Sequence, residues 1–482
     1  MPLPGIVPPT IPPQVLRRAF FVLIGLFALG TAFLSGAFAH KYRNRIRARI
    51  RTLQASPVLQ TNLYNLRVQK LAVPANGRDG GIDVLGDGLL FVNRQGQSWF
   101  VNKDRTLEPL PLQVPINFAD FQSDPYNAKT SDQDRFSIKD ILVQPLPKGI
   151  RIVASHMQWY RDKKCNTLRV SAIETTIEAV KSGQTGAGDW KTIFETTPCQ
   201  DLILSADSVT HHVTLGAGGR LVALSDAQLL LTVSEFRAEY AAPEDKPDAL
   251  DSYGKTILID LAKGTSSVFS RGHRNAQGLT VAPDGRIWET EHGPRGGDEL
   301  NLLIKGRDYG TPHVVYGTQY EMMTWPHSKV QGKHEGYEKP LFAWVPSIGT
   351  SQLIVVRGDA FPWWTGDFLV SSLASLTLYR VRIEDGRVIF VEPIIIDHRI
   401  RDMVEMPSGS IVLKTDENFL VFLDNLDATP SANLDPVTRG AIIAGQCKSC
   451  HSLESGAPAA IGPNLSGVVG RRVASSPGYA YS

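Results

Sequence analysis

Two stretches of this sequence concentrate side chains that can do chemistry. The shorter is CKSCH, from Cys447 to His451. Two thiols at this spacing, followed at once by an imidazole, attach a c-type haem covalently and give its iron an axial ligand. Cys447 and Cys450 are then the thioether residues and His451 the iron ligand. Only 31 residues follow that histidine, and none is Met, His or Lys. The longer stretch is RGHRNAQGLTVAPDGRIWETEHGPRGGDELNLLIKGRDYGTP, Arg271 to Pro312. Arg274 can face an anionic ligand, while Asn275 and Gln277 offer amide donors and acceptors. The Gly293–Pro294 pair turns backbone carbonyls outward, and Asp298 and Glu299 add hard oxygens, a donor set that suits calcium. The bland alternative is a strand–turn–strand connection whose polar residues serve only their own backbone.

Positioning these groups falls to a long β-rich section. From about Val73 to Leu426 short apolar runs of period two are broken by Gly, Asp, Pro and Asn. Three runs look alike: RLVALSDAQLLLTV from Arg220, GLTVAPDGRIWETE from Gly278 and DMVEMPSGSIVLKT from Asp402. Their starts lie 58 and then 124 residues apart, and 124 is twice 62. A repeat near 60 residues predicts an all-β, six-bladed β-propeller. Hydrophobic content of 42% and charged content of 20% are those of a globular protein, and a net charge of +2 gives no case for nucleic acid.

The N-terminal part differs. After a tail of residues 1–18, residues 19–39 run for 21 positions without a charge, enough for one transmembrane helix. A signal peptide cut after Ala39 is the other reading. Six basic residues follow between Lys41 and Arg51. Positive-inside bias would put them in the cytoplasm. Covalent haem attachment belongs outside it, so the chain is expected to be membrane-anchored on the periplasmic, extracytoplasmic face. The basic linker, residues 40–72, then lies against anionic headgroups or is simply solvated. Cys165 and Cys199 either form a disulfide in that compartment or are two buried thiols.

GHRNAQGL, EHGPRGGDELNLL, YGTP and, later, RIRD at Arg399–Asp402 resemble, in order and spacing, the soluble quinoprotein glucose dehydrogenase and aldose sugar dehydrogenase family, the glucose/sorbosone dehydrogenases. The resemblance implies a six-bladed propeller over residues 73–426 that uses pyrroloquinoline quinone (PQQ) and calcium to oxidise a sugar or aldose. It implies that Arg274, Asn275, Gln277 and His292 contact the quinone and that Arg399 and Arg401 pair with its carboxylates. Calcium would take the carbonyls of Gly293 and Pro294, Asp298 would support the proton-relaying residue, and Glu299 and Tyr309 would belong to a second ion or structural shell. Two positions depart from the pattern. The catalytic histidine is expected four residues before Arg220, where Gly216 stands. His211 and His212 are possible substitutes, although four or five residues of strand span roughly 13–17 Å. A quinone-contacting lysine is expected where Ala374 stands.

Residues 427–436 read as a linker ending in a helix start, with Asp435 as cap and Pro436 as first residue. Residues 437–482 resemble an incomplete, partly α-helical class I cytochrome c. There Pro463 would fix the His451 imidazole through its carbonyl, and Arg471 and Tyr481 would lie near the haem propionates. The family's axial Met lies beyond Ser482, so either the gene product is truncated or the haem lacks its usual sixth ligand. The expectation is a PQQ-dependent sugar dehydrogenase passing electrons through haem c to a respiratory acceptor. The alternative is a non-catalytic, ligand- or partner-binding propeller with a vestigial haem segment.

Overall fold

The computed structural model describes residues 58–127, 136–201, 217–235, 252–319, 324, 325, 330 and 332–427, with 451–458, 462–472, 475, 476, 478 and 479 of the tail. The chain divides into two compact units, Met1–Ser56 and Pro57–Ser482. The first lies outside the described residues, and with it the expected membrane segment. Among the described residues no helix is long and apolar enough to cross a membrane.

Six antiparallel sheets form the blades of a propeller. The inner strand of each blade is Gly81–Leu85, Ile138–Pro145, Gly218–Ser225, Ala276–Val281, Thr350–Val355 and Ile400–Glu405. Each inner strand packs against the next, and the sixth against the first, which closes the ring. Their starts are 57, 80, 58, 74 and 50 residues apart. The blades are thus unequal, and the 124-residue interval in the sequence is two blades of 74 and 50.

Strands in the middle of a blade are covered on both faces by neighbouring blades. Gly88–Val92, Phe368–Ser372 and Ile411–Thr415 are therefore buried at every position. Hairpins carry the turn chemistry that right-twisted strands need. Asp385 and Gly386, both at positive φ (49° and 70°), join strands Thr377–Glu384 and Arg387–Ile395. Trp363 and Trp364 serve packing. Trp363 stacks on Tyr64 with centroids 5.5 Å apart, and Trp364 is fully buried.

The last blade is built from both ends of the propeller. Val58–Gln60 and Asn65–Ala72 extend the sheet made by the C-terminal strands, with Asn65–Ala72 paired along Phe419–Asn425. This corrects the linker expected to reach residue 72, which ends before Val58. Two short α-helices, Phe118–Ser123 and Ile177–Ser182, are appended to the blades. Residues 451–479 contain no helix among those described, and the helix expected to start at Pro436 lies outside the described residues.

Cys165 and Cys199 are disulfide-bonded, with Cα atoms 5.7 Å apart and a sequence separation of 34. Closing a loop of that length removes denatured-state entropy worth about 3–4 kcal/mol. Replacing both cysteines with serine is expected to lower the unfolding free energy by about that amount in urea titration, whereas a loss under about 1 kcal/mol would show that the crosslink constrains little.

Candidate cofactor site at the channel mouth

All six inner strands begin at the same end of the central channel, and the second strand of each blade ends there. The residues at those termini meet around Arg220, on the third inner strand. Its Nη1 donates to Asp140 Oδ1 (2.8 Å) and Asp402 Oδ1 (2.7 Å), its Nε to the carbonyl of Gln277 (3.1 Å), and its Nη2 to the carbonyl of Arg401 (3.3 Å). Asp402 also accepts from the backbone N–H groups of Ile82 and Met403. One guanidinium with 5% exposure thus ties four inner strands together.

Above this knot stand the arginines of RIRD. Arg399 Nε donates to Asp416 Oδ2 (2.8 Å), and Arg401 donates through Nε to Oδ1 and through Nη2 to Oδ2, both 2.9 Å. Arg401 Nε also lies 3.3 Å from Asp79 Oδ1. Burial opposes the charge on Asp79. Lys139, Arg401 and the Ser137 hydroxyl more than offset this and hold its carboxyl far below the ordinary range. Arg399 donates further to the Leu373 carbonyl (3.1 Å). Its side chain is 39% exposed, so its remaining N–H groups are reachable from solvent. Beside Leu373, Ala374 is exposed at the same mouth and carries no charge. A different lysine, Lys414, is fully buried with no hydrogen-bond partner for its Nζ. Burial lowers its pKa to about 8 even though Asp416, Asp79 and Asp402 act to raise it.

On the opposite wall, Arg274 donates through Nη1 to the carbonyls of His292 (3.3 Å) and Gly293 (2.9 Å). Asn275 Oδ1 accepts from Ser234 Oγ (2.9 Å) and Gln277 Nε2 (2.7 Å). The His292 Nε2 is hydrogen-bonded to the Thr350 carbonyl. Burial lowers the pKa of this ring and Arg274 adds to the effect, while Asp298 acts against it. Asp298 is a loop organiser. Its Oδ1 accepts from Gly293 N (3.1 Å), and its Oδ2 accepts from the N–H groups of Ile348, Gly349 and Thr350 (2.9, 2.6 and 3.3 Å). It fixes the backbone that presents His292 and Thr350.

Glu299 and Tyr309 stand apart from the mouth. The Tyr309 hydroxyl donates to the Leu302 carbonyl (2.6 Å) and accepts from Ile304 N (2.9 Å), strapping its own loop. Glu299 belongs to a buried polar layer with Asn301 and His334. Burial and repulsion from Glu291 push its carboxyl well above the carboxylate range. Gly216, His211, His212, Cys447, Cys450 and Tyr481 lie outside the described residues. Asp79, Asp416, Thr350 and Lys414 carry the site with no motif that singled them out for it.

The residues fit the two groups that this constellation suggests. Calcium needs hard oxygens, and the Gly293 carbonyl lies at the mouth. A side chain at 293 would collide with the carbonyls of Gly296 and Gly297, so the turn is shaped for backbone oxygens alone. Three guanidiniums, Arg274, Arg399 and Arg401, suit a planar polycarboxylate. The buried Thr350 hydroxyl has no partner in the protein. In the tail, the His451 Nδ1 is hydrogen-bonded to the Pro463 carbonyl at 2.7 Å, leaving Nε2 for iron. A Cβ at Gly462 would strike that ring. Arg471 donates to the carbonyls of Ser466 (3.2 Å) and Asn464 (2.8 Å) and so braces its loop. An open groove of about 830 Å³ between the outer parts of the second and third blades, lined by Arg151, Glu174 and Asp226 among others, shares no residue with this site.

Known proteins resemble the chain. Aldose sugar dehydrogenase YliI of Escherichia coli (strain K12) is 33% identical over 183 residues, 36% of this chain and 45% of that protein. The uncharacterized protein slr1608 of Synechocystis sp. is 37% identical over 158 residues, 32% of this chain and 38% of that protein. The matched stretch spans less than half the length of either. A solved glucose dehydrogenase structure superposes with a TM-score of 0.61 over 74% of this chain and 99% of its own, at 26% identity. The apo-form of the soluble aldose sugar dehydrogenase from Escherichia coli shares the fold at a TM-score of 0.60 and 24% identity, over 74% and 99%. In the tail, cytochrome c2 iso-1 of Magnetospirillum fulvum is 54% identical over 37 residues, 8% of this chain and 36% of that protein. The family model for Glucose / Sorbosone dehydrogenase matches residues 170–420, more than half of the 482. The chain belongs to the glucose/sorbosone dehydrogenase family.

Proposed function

We propose that the chain is an exported, membrane-anchored, PQQ- and calcium-dependent aldose dehydrogenase whose electrons leave through a c-type haem in its tail to a respiratory acceptor. The observation that carries this reading is the gathering of Arg274, Arg399 and Arg401 with the Gly293 carbonyl at one end of the channel. PQQ would supply the hydride acceptor and calcium the Lewis acid that polarises it. Arg399 and Arg401, their forks set by Asp416, bind carboxylates with charge-assisted hydrogen bonds. Asp298 orients the turn that offers the Gly293 carbonyl. His292 stays neutral near pH 7 because burial lowers its pKa. With Nε2–H donating to the Thr350 carbonyl, its Nδ1 has a lone pair on which to hold a proton. The Cys165–Cys199 disulfide and the CxxCH motif support export.

The second reading, a propeller that binds without oxidising, is favoured by Ala374, which leaves the mouth without the lysine charge. Dye reduction on an aldose panel separates the two. We expect reduction only when PQQ and calcium are both added, and activity unchanged by omitting PQQ would contradict the proposal. Independently, the protein matured with a cytochrome c assembly system is expected to retain about one acid-stable haem per chain. The double variant Cys447→Ala/Cys450→Ala should retain none, as read by pyridine haemochrome. Retention there would remove the haem assignment.

A further inference from the structure

We propose that His273, Glu289 and Glu291 form a buried structural site for a divalent transition-metal cation of the zinc class, behind the channel mouth in the fourth blade. Glu289 and Glu291 are two apart on strand Ile287–Glu291, so both side chains leave the same face. His273 meets them from the turn before the fourth inner strand, stacked on Tyr309 with centroids 4.7 Å apart. Its Nδ1 lies 3.3 Å from Glu289 Oε2 and 3.6 Å from Glu291 Oε1. One donor atom from each of the three falls within 4.8 Å of the others. A tetrahedral ion with bonds of about 2.0–2.1 Å holds its ligands about 3.3–3.4 Å apart, so the two distances from His273 are close to edges of such a shell.

Several independent features point to a cation there. All three residues are buried, His273 and Glu289 completely. Neither oxygen of Glu289 has a hydrogen-bond partner, and neither has the His273 Nδ1. The Oδ1 of Asn301, which pairs with Glu289 across the strands, is also unpartnered. One imidazole, His273, is shared as ion-pair partner by two buried carboxylates; burying both charges on a single partner is costly, and a divalent ion removes that cost. Glu289, Glu291 and Glu299 place three carboxylates in one layer. Their ion-pair contacts among the described residues are to the imidazoles of His273 and His334, and none is to Lys or Arg. The other nitrogen of His273, Nε2, is hydrogen-bonded to Ser270 Oγ at 2.8 Å, the outer-sphere contact that fixes a metal-binding imidazole.

The donors choose the class of ion. Calcium takes oxygen ligands, whereas a mixed imidazole–carboxylate set suits zinc and its neighbours. The site is thus distinct from the carbonyl-built calcium position at Gly293 and Pro294. It has a consequence for the mouth, because Glu291 Oε2 accepts from the backbone N–H of Arg274 (2.7 Å), the residue after His273. An ion on Glu291 and His273 would pin the turn that presents Arg274 and Asn275. The competing occupant is a proton shared between His273 and the carboxylates.

The full-length protein, purified without chelator and dialysed against calcium buffer, is assayed for zinc, manganese and cobalt by mass spectrometry. Haem iron is counted separately. We expect about one transition ion per chain, lost on prolonged chelation with a fall in melting temperature and restored by zinc. Glu289→Gln, which keeps the side-chain shape, should reduce retained metal at least about tenfold. Because a variant can misfold, the chelated natural protein is also loaded with cobalt, where tetrahedral nitrogen–oxygen ligation gives intense visible bands. Failure of the natural protein to take up zinc or cobalt, full retention of metal by Glu289→Gln, or uptake of calcium alone would each overturn the proposal.

Discussion

Replacing Arg220 with leucine is expected to lower the unfolding free energy by about 3–5 kcal/mol, the usual cost of stranding buried charge partners. Arg220 holds Asp140 and Asp402, both almost fully buried, and the substitution leaves both carboxylates without their counter-charge. The loss should depend on pH. Burial, with repulsion from Asp402, raises the pKa of Asp140 to about 7 even with Arg220 acting to lower it. A carboxyl with a raised folded-state pKa is held protonated by the fold. Its contribution is complete below the ordinary 3.8 and is lost as pH rises towards 7. Without Arg220 that window extends upward, so the destabilisation should be larger at pH 8 than at pH 5. Urea titrations at the two pH values check this, and a loss below about 1 kcal/mol at both would show that the knot of inner strands does not depend on this residue.

A histidine placed at Gly216 is expected to raise kcat by about 10²-fold or more with little change in KM. A positioned base contributes about 10²–10⁴-fold, and the gain is made in the transition state. Position 216 lies outside the described residues. Its neighbour Ala217 is buried beside the mouth, with its carbonyl bonded to Ser234 N (3.3 Å), and the Ser234 hydroxyl donates to Asn275. The natural protein should therefore turn over simple aldoses slowly when loaded with PQQ and calcium. Fast turnover that collapses in His211→Ala or His212→Ala would place the base there instead.

The legibility of this molecule followed the range of its interactions. Blade number was readable because each strand–turn–strand unit is local, and RLVALSDAQLLLTV and its two counterparts carry the same turn chemistry. The blade that closes the ring was not, because Asn65–Ala72 pairs with Phe419–Asn425, about 350 residues away in the sequence, and nothing local marks that pairing. Arg274, His292, Arg399 and Arg401 stand in dense motifs and were legible as candidates. Asp416, which sets the forks of both arginines, sits in KTDENF, where an acidic residue before a turn is ordinary. Arg220 was visible only as the anchor of a motif. Its role depends on four strands meeting in space.

If the arginines of the channel mouth hold PQQ, equilibrium titration of PQQ into the full-length protein, with and without calcium, should show it. Each charge-assisted hydrogen bond contributes about 1.5–3 kcal/mol, so Arg399→Leu and Arg401→Leu should each weaken binding by roughly 10- to 100-fold. Binding is expected to be saturable and strengthened by calcium, with one PQQ per propeller, and to fall in this way in both variants. Absence of PQQ binding by the natural protein in the presence of calcium, or binding that neither substitution weakens, would contradict the proposed PQQ site.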